Sequence, residues 1–195
     1  MKKRIGVLAL QGAFREHRLI LEQLGCEVTE IRKSSDLDGI HGLIIPGGES
    51  TAIGKLLQFG DLGEKIKEKA IDNLPIFGTC SGMILLSKRI ENSTQYNLGL
   101  MDMTAKRNAF GRQIASFEAD LNVPTLGSQS VRAVFIRAPF IQEIAPNVGI
   151  LAEYDGKIVF VRQGNMLASA FHPELTEDLR VHRYFLKIVE ENWGN

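Results

Sequence analysis

"FGTCSGM", residues 77–83, sets a cysteine between two glycines, Gly78 and Gly82, each two positions from Cys80. An apolar run, "LPIF" (74–77), leads in, and an apolar, helix-compatible run, "MILLSKRI" (83–90), leads out. Glycine loses more conformational entropy on folding than any other residue, so a glycine pair marks a backbone geometry that a Cβ would block. The stretch therefore predicts a buried strand, a tight turn and a helix. Ligands of open α/β sheets bind beyond the carboxyl ends of such strands, and the G-x-S-x-G elbow presents a serine on the same kind of turn. A thiol there also faces the positive end of a helix, which favours thiolate. Taken alone, the motif fits equally a buried structural cysteine beside packing glycines.

Upstream, "RIGVLAL" (4–10) predicts a buried strand ended by "QG". "REHRLILEQLG" (15–25), apolar at 19, 20, 21 and 24, predicts a helix closed by Gly25. "CEVTEIR" (26–32) resumes a strand, and "GLIIPGGES" (42–50) runs a strand into a glycine turn. Ser50 or Thr51 is expected to cap "AIGKLLQF", and "LGEKIKEKAI" (62–71) predicts a further helix before the cysteine stretch. This strand–loop–helix rhythm is that of an open, mostly parallel twisted sheet with helices on both faces.

After residue 100 the texture changes. "RQIASFEADLNV" (112–123), "RAVFIRAPFI" (132–141) and "GILAEYDGKIVFVRQGNMLASAF" (149–171) read as strands, with turns at "DG" (155–156) and "QGN" (163–165). The second half is thus expected to add antiparallel strands to the parallel core, before a closing helix over 176–192. No Pro/Ser-rich linker divides the chain, which predicts one domain over residues 1–195.

Lys+Arg and Asp+Glu both number 23, so the formal net charge is zero. Nothing suggests a nucleic-acid surface or a polybasic membrane patch, and no apolar run approaches the ~20 residues of a membrane span. The basic start, "MKKRIGVLALQG", carries an apolar run too short for a signal peptide and is better explained by the first strand. Two cysteines, Cys26 and Cys80, form no disulfide framework, so a reduced, cytoplasmic setting is expected.

Two further constellations stand near predicted strand ends. "AFHPEL" (170–175) delivers His172 after an apolar run. Pro173 is expected to keep the backbone extended, so that His172 and Glu174, two apart, face one side. That supplies a base and an orienter for a cysteine nucleophile; the alternative is a strand-end histidine before a capping turn. "PGGES" (46–50) can turn backbone N–H groups inward toward an anion, as acyl transfer needs, or be a plain glycine turn. It is not a phosphate loop, since no G-K-[ST] follows. Cys26, between a helix stop and a strand, reads as a packed thiol.

"PGGES", "GTCSG" and "HPE", in that order and spacing, resemble the motifs of class I glutamine amidotransferases, which share a flavodoxin-like sheet and a Cys-His-Glu triad. "LALQGAFREH" (8–17), "RNAFGRQIASFEADL" (107–121), "FIRAP" (135–139) and "FHPELTED" (171–178) narrow the resemblance to the glutaminase subunits of pyridoxal 5′-phosphate synthases. It covers about residues 4–190. One departure is Ser81 after the cysteine, where Ala is common in the family. The resemblance implies hydrolysis of L-glutamine by Cys80, His172 and Glu174 through a γ-glutamyl thioester, with backbone N–H groups near Gly48 and at Ser81 as the oxyanion hole. It implies glutamine binding by Gly48, Glu49, Ser50, Arg107, Ile136 and Arg137. It also implies a separate synthase subunit that takes up the ammonia, makes pyridoxal 5′-phosphate from ribose 5-phosphate and glyceraldehyde 3-phosphate, and activates the glutaminase on docking. Gln11, after the first strand, is the expected contact. No metal and no cofactor is expected on this chain. The competing readings are the glutaminase of another amidotransferase and a non-catalytic flavodoxin-like module.

Overall fold

A computed structural model describes residues 2–107 and 116–193. Residues 108–115, which carry most of "RNAFGRQ" and the start of the strand expected from 112, lie outside the described residues. Strand β1 (Arg4–Leu8) is followed by helix α1 (Phe14–Gln23), β2 (Glu27–Ile31), β3 (Gly42–Ile45), α2 (Ser50–Phe59) and α3 (Leu62–Ile71). Then come β4 (Ile76–Thr79), α4 (Ser81–Leu86), β5 (Ser87–Ile90) and β6 (Met101–Lys106). The second half contributes β7 (Ser116–Leu121), β8 (Val131–Ile136), β9 (Phe140–Ile144), β10 (Gly149–Tyr154), β11 (Lys157–Gln163), β12 (Met166–Ser169) and α5 (Arg180–Asn192).

Ten strands form one sheet in the order β2-β1-β3-β4-β12-β11-β9-β6-β5, with β10 paired to β11. From β2 to β12 every pairing is parallel; β11 then runs antiparallel to β12, β9 and β10. β7 and β8 make a separate antiparallel pair. The expected division holds: a parallel core from the first half, antiparallel strands from the second. Strand β12 is the late strand that joins the parallel core beside β4.

β3 and β4 are buried at every residue, as parallel strands covered on both faces must be. Phe77 on β4 points to the face where His17 of α1 and His182 and Phe185 of α5 pack. The next residue, Gly78, faces α4 on the other side. A Cβ built on Gly82 would lie 1.9 Å from the Ile45 carbonyl oxygen, and one on Gly78 would lie 2.6 Å from the backbone of Gly82. The glycine bracket around Cys80 thus lets α4 rest directly on the backbones of β3 and β4.

Several local expectations are corrected. Neither Ser50 nor Thr51 caps α2; the Glu49 carboxylate does, accepting from the N–H groups of Thr51 at 3.1 Å and Ala52 at 2.8 Å. A carboxylate there also meets the positive end of the helix dipole. The run "MILLSKRI" does not stay helical. The Ser87 hydroxyl bonds back to the Met83 carbonyl at 2.9 Å, and Asn97 binds the Ser87 carbonyl at 2.7 Å, as the chain leaves α4 for β5. Pro173 does not hold an extended chain: its fixed φ also suits the first turn of a helix, and Pro173–Leu175 form a 3-10 turn. The closing helix begins at Arg180, four residues later than expected. Among the described residues no helix is long and apolar enough to cross a membrane.

Candidate active site

Strand β4 ends at Thr79, and Cys80 follows with φ 49° and ψ −103°. A non-glycine residue in this region is strained, and neighbouring backbone holds it. The Cys80 N–H donates to the Ser169 carbonyl of β12 at 2.7 Å, and its carbonyl accepts from Ile84 in α4 at 3.2 Å. The thiol is nearly buried and faces the Ile136 carbonyl, 3.9 Å away.

Beyond β12, His172 is pinned by its own N–H to the Val134 carbonyl of β8 at 2.8 Å. The 3-10 turn brings Glu174 back beneath the ring, with His172 Nδ1 2.7 Å from Glu174 Oε1. A carboxylate can only accept, so Nδ1 carries the proton and Nε2 is left for the thiol. Burial opposes charge on this ring, but the bonds to Cys80 and Glu174 outweigh it and raise the His172 pKa to about 10. Burial also opposes charge on Glu174; the facing His17 and His172 rings prevail and hold the carboxyl below the usual range.

The glycine loop after β3 closes over this pair. A Cβ on Gly47 would fall 2.5 Å from His172 Cε1 and 3.3 Å from Cys80 Cβ. The loop is held from several directions. Gly47 N–H donates to Thr79 Oγ1 at 3.2 Å, its carbonyl accepts from Ala13 at 3.0 Å, and Glu49 N–H donates to Gln11 Oε1 at 2.7 Å. The Ser81 hydroxyl donates to the Gly48 carbonyl.

A cavity of about 440 Å³ opens here, lined by Cys80, His172, Gly48, Glu49, Ser50, Ser81, Arg107, Ile136 and Arg137, with Gly12, Ala13, Gly47, Ile84 and Leu175. The structure therefore brings the expected glutamine-site residues to one cavity. Glu174 lies behind His172, and Gln11 is exposed beside the loop. Arg137 has φ 44°, a second strained position at the cavity. Glu49 lines the cavity while its carboxylate is engaged as the α2 cap.

Three residues escaped the sequence reading. Gln95 accepts at Oε1 from Arg107 at 2.9 Å, Thr51 at 3.2 Å and Ser50 at 3.3 Å, so it gathers three residues around the cavity wall. His17 and His182 are fully buried behind Glu174, 2.9 Å apart. Burial depresses the pKa of both, that of His182 to about 3. Helical spacing carried the signal: 17 stands three and four residues before the apolar 20 and 21, and 182 three before 185. Among the described residues, no group of three or more His, Cys, Asp or Glu is arranged to hold a metal ion.

Residues 7–191 match the model of the SNO glutamine amidotransferase family. The chain is 59% identical over 186 residues to the pyridoxal 5′-phosphate synthase subunit PdxT of Carboxydothermus hydrogenoformans, covering 95% of this chain and 97% of that one. It is 60% identical to the PdxT of Moorella thermoacetica, covering 95% and 99%. A crystal structure described as a glutamine amidotransferase superposes with a TM-score of 0.91 at 49% identity, covering 95% of this chain and 98% of that one. Another glutamine amidotransferase, from Thermotoga maritima, shares the fold alone, with a TM-score of 0.63 at 11% identity over 100% of this chain and 87% of that one.

Proposed function

The chain belongs to the SNO glutamine amidotransferase family, and on that premise we propose that it is the glutaminase subunit of a pyridoxal 5′-phosphate synthase. It hydrolyses L-glutamine to L-glutamate and ammonia and delivers the ammonia to a separate synthase subunit, which builds pyridoxal 5′-phosphate from ribose 5-phosphate and glyceraldehyde 3-phosphate. Residues 1–195 act as one amidotransferase domain, in the cytoplasm. Two free cysteines suit a reducing compartment.

The observation that carries the assignment is His172 held between Cys80 and Glu174 at the carboxyl ends of neighbouring strands, on the wall of a cavity. Cys80 Sγ attacks the side-chain amide carbon of glutamine as His172 holds the thiol proton. Collapse of the tetrahedral adduct breaks the C–N bond, and His172 returns the proton to the departing ammonia. Water then attacks the γ-glutamyl thioester, His172 accepts its proton, and the C–S bond breaks to give glutamate and the restored thiol. Glu174 keeps the His172 ring oriented and stabilises its charge. Backbone N–H groups at Gly48 and Ser81 face the developing oxyanion. Arg107, Arg137, Glu49, Ser50 and the Ile136 backbone grip the α-carboxylate and α-amino groups of the substrate.

Gln11 is the partner contact in this reading. It is exposed, and its Oε1 already holds the Glu49 N–H of the glycine loop, so a partner seated on it acts on the loop directly. The test is glutamate release by the chain alone and mixed with the synthase subunit. Release is expected to rise on mixing and to vanish in Cys80→Ala. A glutamine-analogue alkylator is expected to label Cys80 and spare Cys26, whose thiol burial pushes to higher pKa. Equal labelling of both, or full activity in Cys80→Ala, overturns the reading.

A further inference from the structure

His17 is a fully buried polar side chain that the hydrolysis above does not use. It projects from α1 into the space behind the triad. Its Nε2 lies 3.3 Å from Glu174 Oε2 and 3.1 Å from Thr79 Oγ1, and its Nδ1 lies 2.9 Å from His182 Nε2. Thr79 Oγ1 in turn accepts the Gly47 N–H at 3.2 Å. One imidazole thus touches the orienting carboxylate of the triad and the hydroxyl that anchors the glycine loop.

One arrangement of protons suits these contacts better than the other. A neutral imidazole carries one N–H and one lone pair. If the proton sat on Nδ1, the Nε2 lone pair would face the ionised Glu174 oxygen, and His182 Nε2 would have to accept. His182 would then bury an N–H at Nδ1, which has no partner among the described residues. Orphaned buried donors are rarer than orphaned acceptors. With the proton on His17 Nε2, the ring donates to Thr79 Oγ1 and turns its positive N–H edge toward Glu174 Oε2, which has no hydrogen-bond partner among the described residues. His182 donates from Nε2 to His17 Nδ1, and on His182 only an acceptor is left unpaired.

We propose that His17 is a positioning residue, held as the Nε2–H tautomer by His182, that fixes the Glu174 carboxylate from the side opposite His172 and ties it through Thr79 to the Gly47 peptide. The consequence is that the base side and the oxyanion side of the site share one brace. Glu174 lies between two rings: His172 Nδ1 hydrogen-bonds Oε1, and His17 Nε2 stands 3.3 Å from Oε2, an electrostatic contact short of a hydrogen bond. Loss of the brace leaves glutamine binding intact, because His17 does not line the cavity. It loosens the geometry in which His172 and the glycine loop meet the reacting carbon.

The inference rests on the glutaminase reading, so its test has one arm that does not need turnover. Long-range 1H–15N spectra of the ring nitrogens are expected to show Nε2–H for both His17 and His182. An Nδ1–H tautomer at His17 overturns the proposal whatever the activity. The second arm compares two amides. His17→Gln keeps a donor where Nε2 stood, whereas His17→Asn keeps a polar atom only near the Nδ1 position. With the synthase subunit present, His17→Asn is expected to lose about 10- to 100-fold in kcat with KM for glutamine unchanged, as a small misplacement of a catalytic group does. His17→Gln is expected to recover most of that loss at the same melting temperature. Equal rates in the two variants, or a loss in KM, would show that His17 only fills space. A silent wild-type enzyme beside an Nε2–H spectrum would instead count against the glutaminase reading and leave the brace standing.

Discussion

Replacing Gly82 by alanine tests whether close packing under α4 sets the nucleophile. The added Cβ would stand 1.9 Å from the Ile45 carbonyl oxygen and 2.8 Å from its carbon, where real contacts do not fall below 3.0 Å, so helix and strand must part by about 1 Å. The obstacle is the backbone of a fully buried strand in the parallel core, which cannot swing aside as a side chain would. Alanine gains about 1 kcal/mol over glycine in helix propensity. Overpacking a tight core costs about 1–3 kcal/mol and sometimes more, and a rigid backbone contact puts this site at the upper end. The net expectation is a loss of about 2 kcal/mol, or a fall of about 4–8 °C in Tm for a chain of this size. Cys80 and Ser81 start the helix that must move, so kcat is expected to fall about 10²-fold. Thermal unfolding followed by circular dichroism reads the first quantity, and glutamate release with the synthase subunit reads the second. Gly60→Ala is the control, since its Cβ meets neighbours only at 3.9 and 4.0 Å. An unchanged Tm in Gly82→Ala refutes the packing argument; a lowered Tm with normal kcat refutes the link from packing to chemistry.

Arg107→Ala and Arg137→Ala are expected mainly to raise KM for glutamine, by about ten- to a hundredfold, because each removes a charge-assisted bond of about 1.5–3 kcal/mol. An unchanged KM in both removes them from the substrate site. Stability should also fall with acid through the buried histidines. Burial holds His182 at a pKa of about 3, well below the value of about 6.5 it regains on unfolding. The unfolded chain therefore binds the extra proton first, and the stability present above pH 6.5 is lost as pH drops toward the folded value. Between pH 6.5 and 5 this amounts to about 2 kcal/mol for one group. Urea midpoints at the two pH values measure it, and the same slope in His182→Gln would exclude His182 as the source.

The cysteine turn was legible because two independent demands coincide in a short stretch: apolar runs on both sides fix strand and helix, and paired glycines fix the turn. The reason for each glycine was not legible. Gly82 is required by the Ile45 backbone and Gly47 by the His172 ring, and both neighbours are distant in sequence. The His172–Glu174 contact was foreseen by the wrong backbone route, since proline suits an extended chain and a first helical turn alike and only tertiary contacts choose between them. The Glu49 cap was not legible, because Ser50 and Thr51 are themselves good caps. His17 and His182 were overlooked since a helical period is scored on apolar residues, and a histidine on the apolar stripe counts as a gap. Gln95 lies between β5 and β6, in a segment with no periodicity to read.

The strand order accounts for where the cavity lies. In the run β2-β1-β3-β4-β12 the chain reverses direction of growth between β1 and β3, and such switch points open a crevice in doubly wound sheets. Here the crevice is shut by the two loops that border it. A Cβ on Gly12 would lie 1.8 Å from the Gly47 carbonyl oxygen, which already accepts the Ala13 N–H, and Gln11 holds the Glu49 N–H. Two of the N–H groups there, those of Ala13 and Glu49, are spent on bonds between the loops. The cavity extends toward β4 and β12, where the strained Cys80 and His172 line it. A stretch that first reads as a second glycine-rich ligand loop therefore works as a wall. Its conformation is set from the β1 side by residues 11–17 and from the β4 side by Thr79 and Ser81. Any force on the exposed β1 loop reaches the cavity wall through the Ala13–Gly47 and Gln11–Glu49 hydrogen bonds.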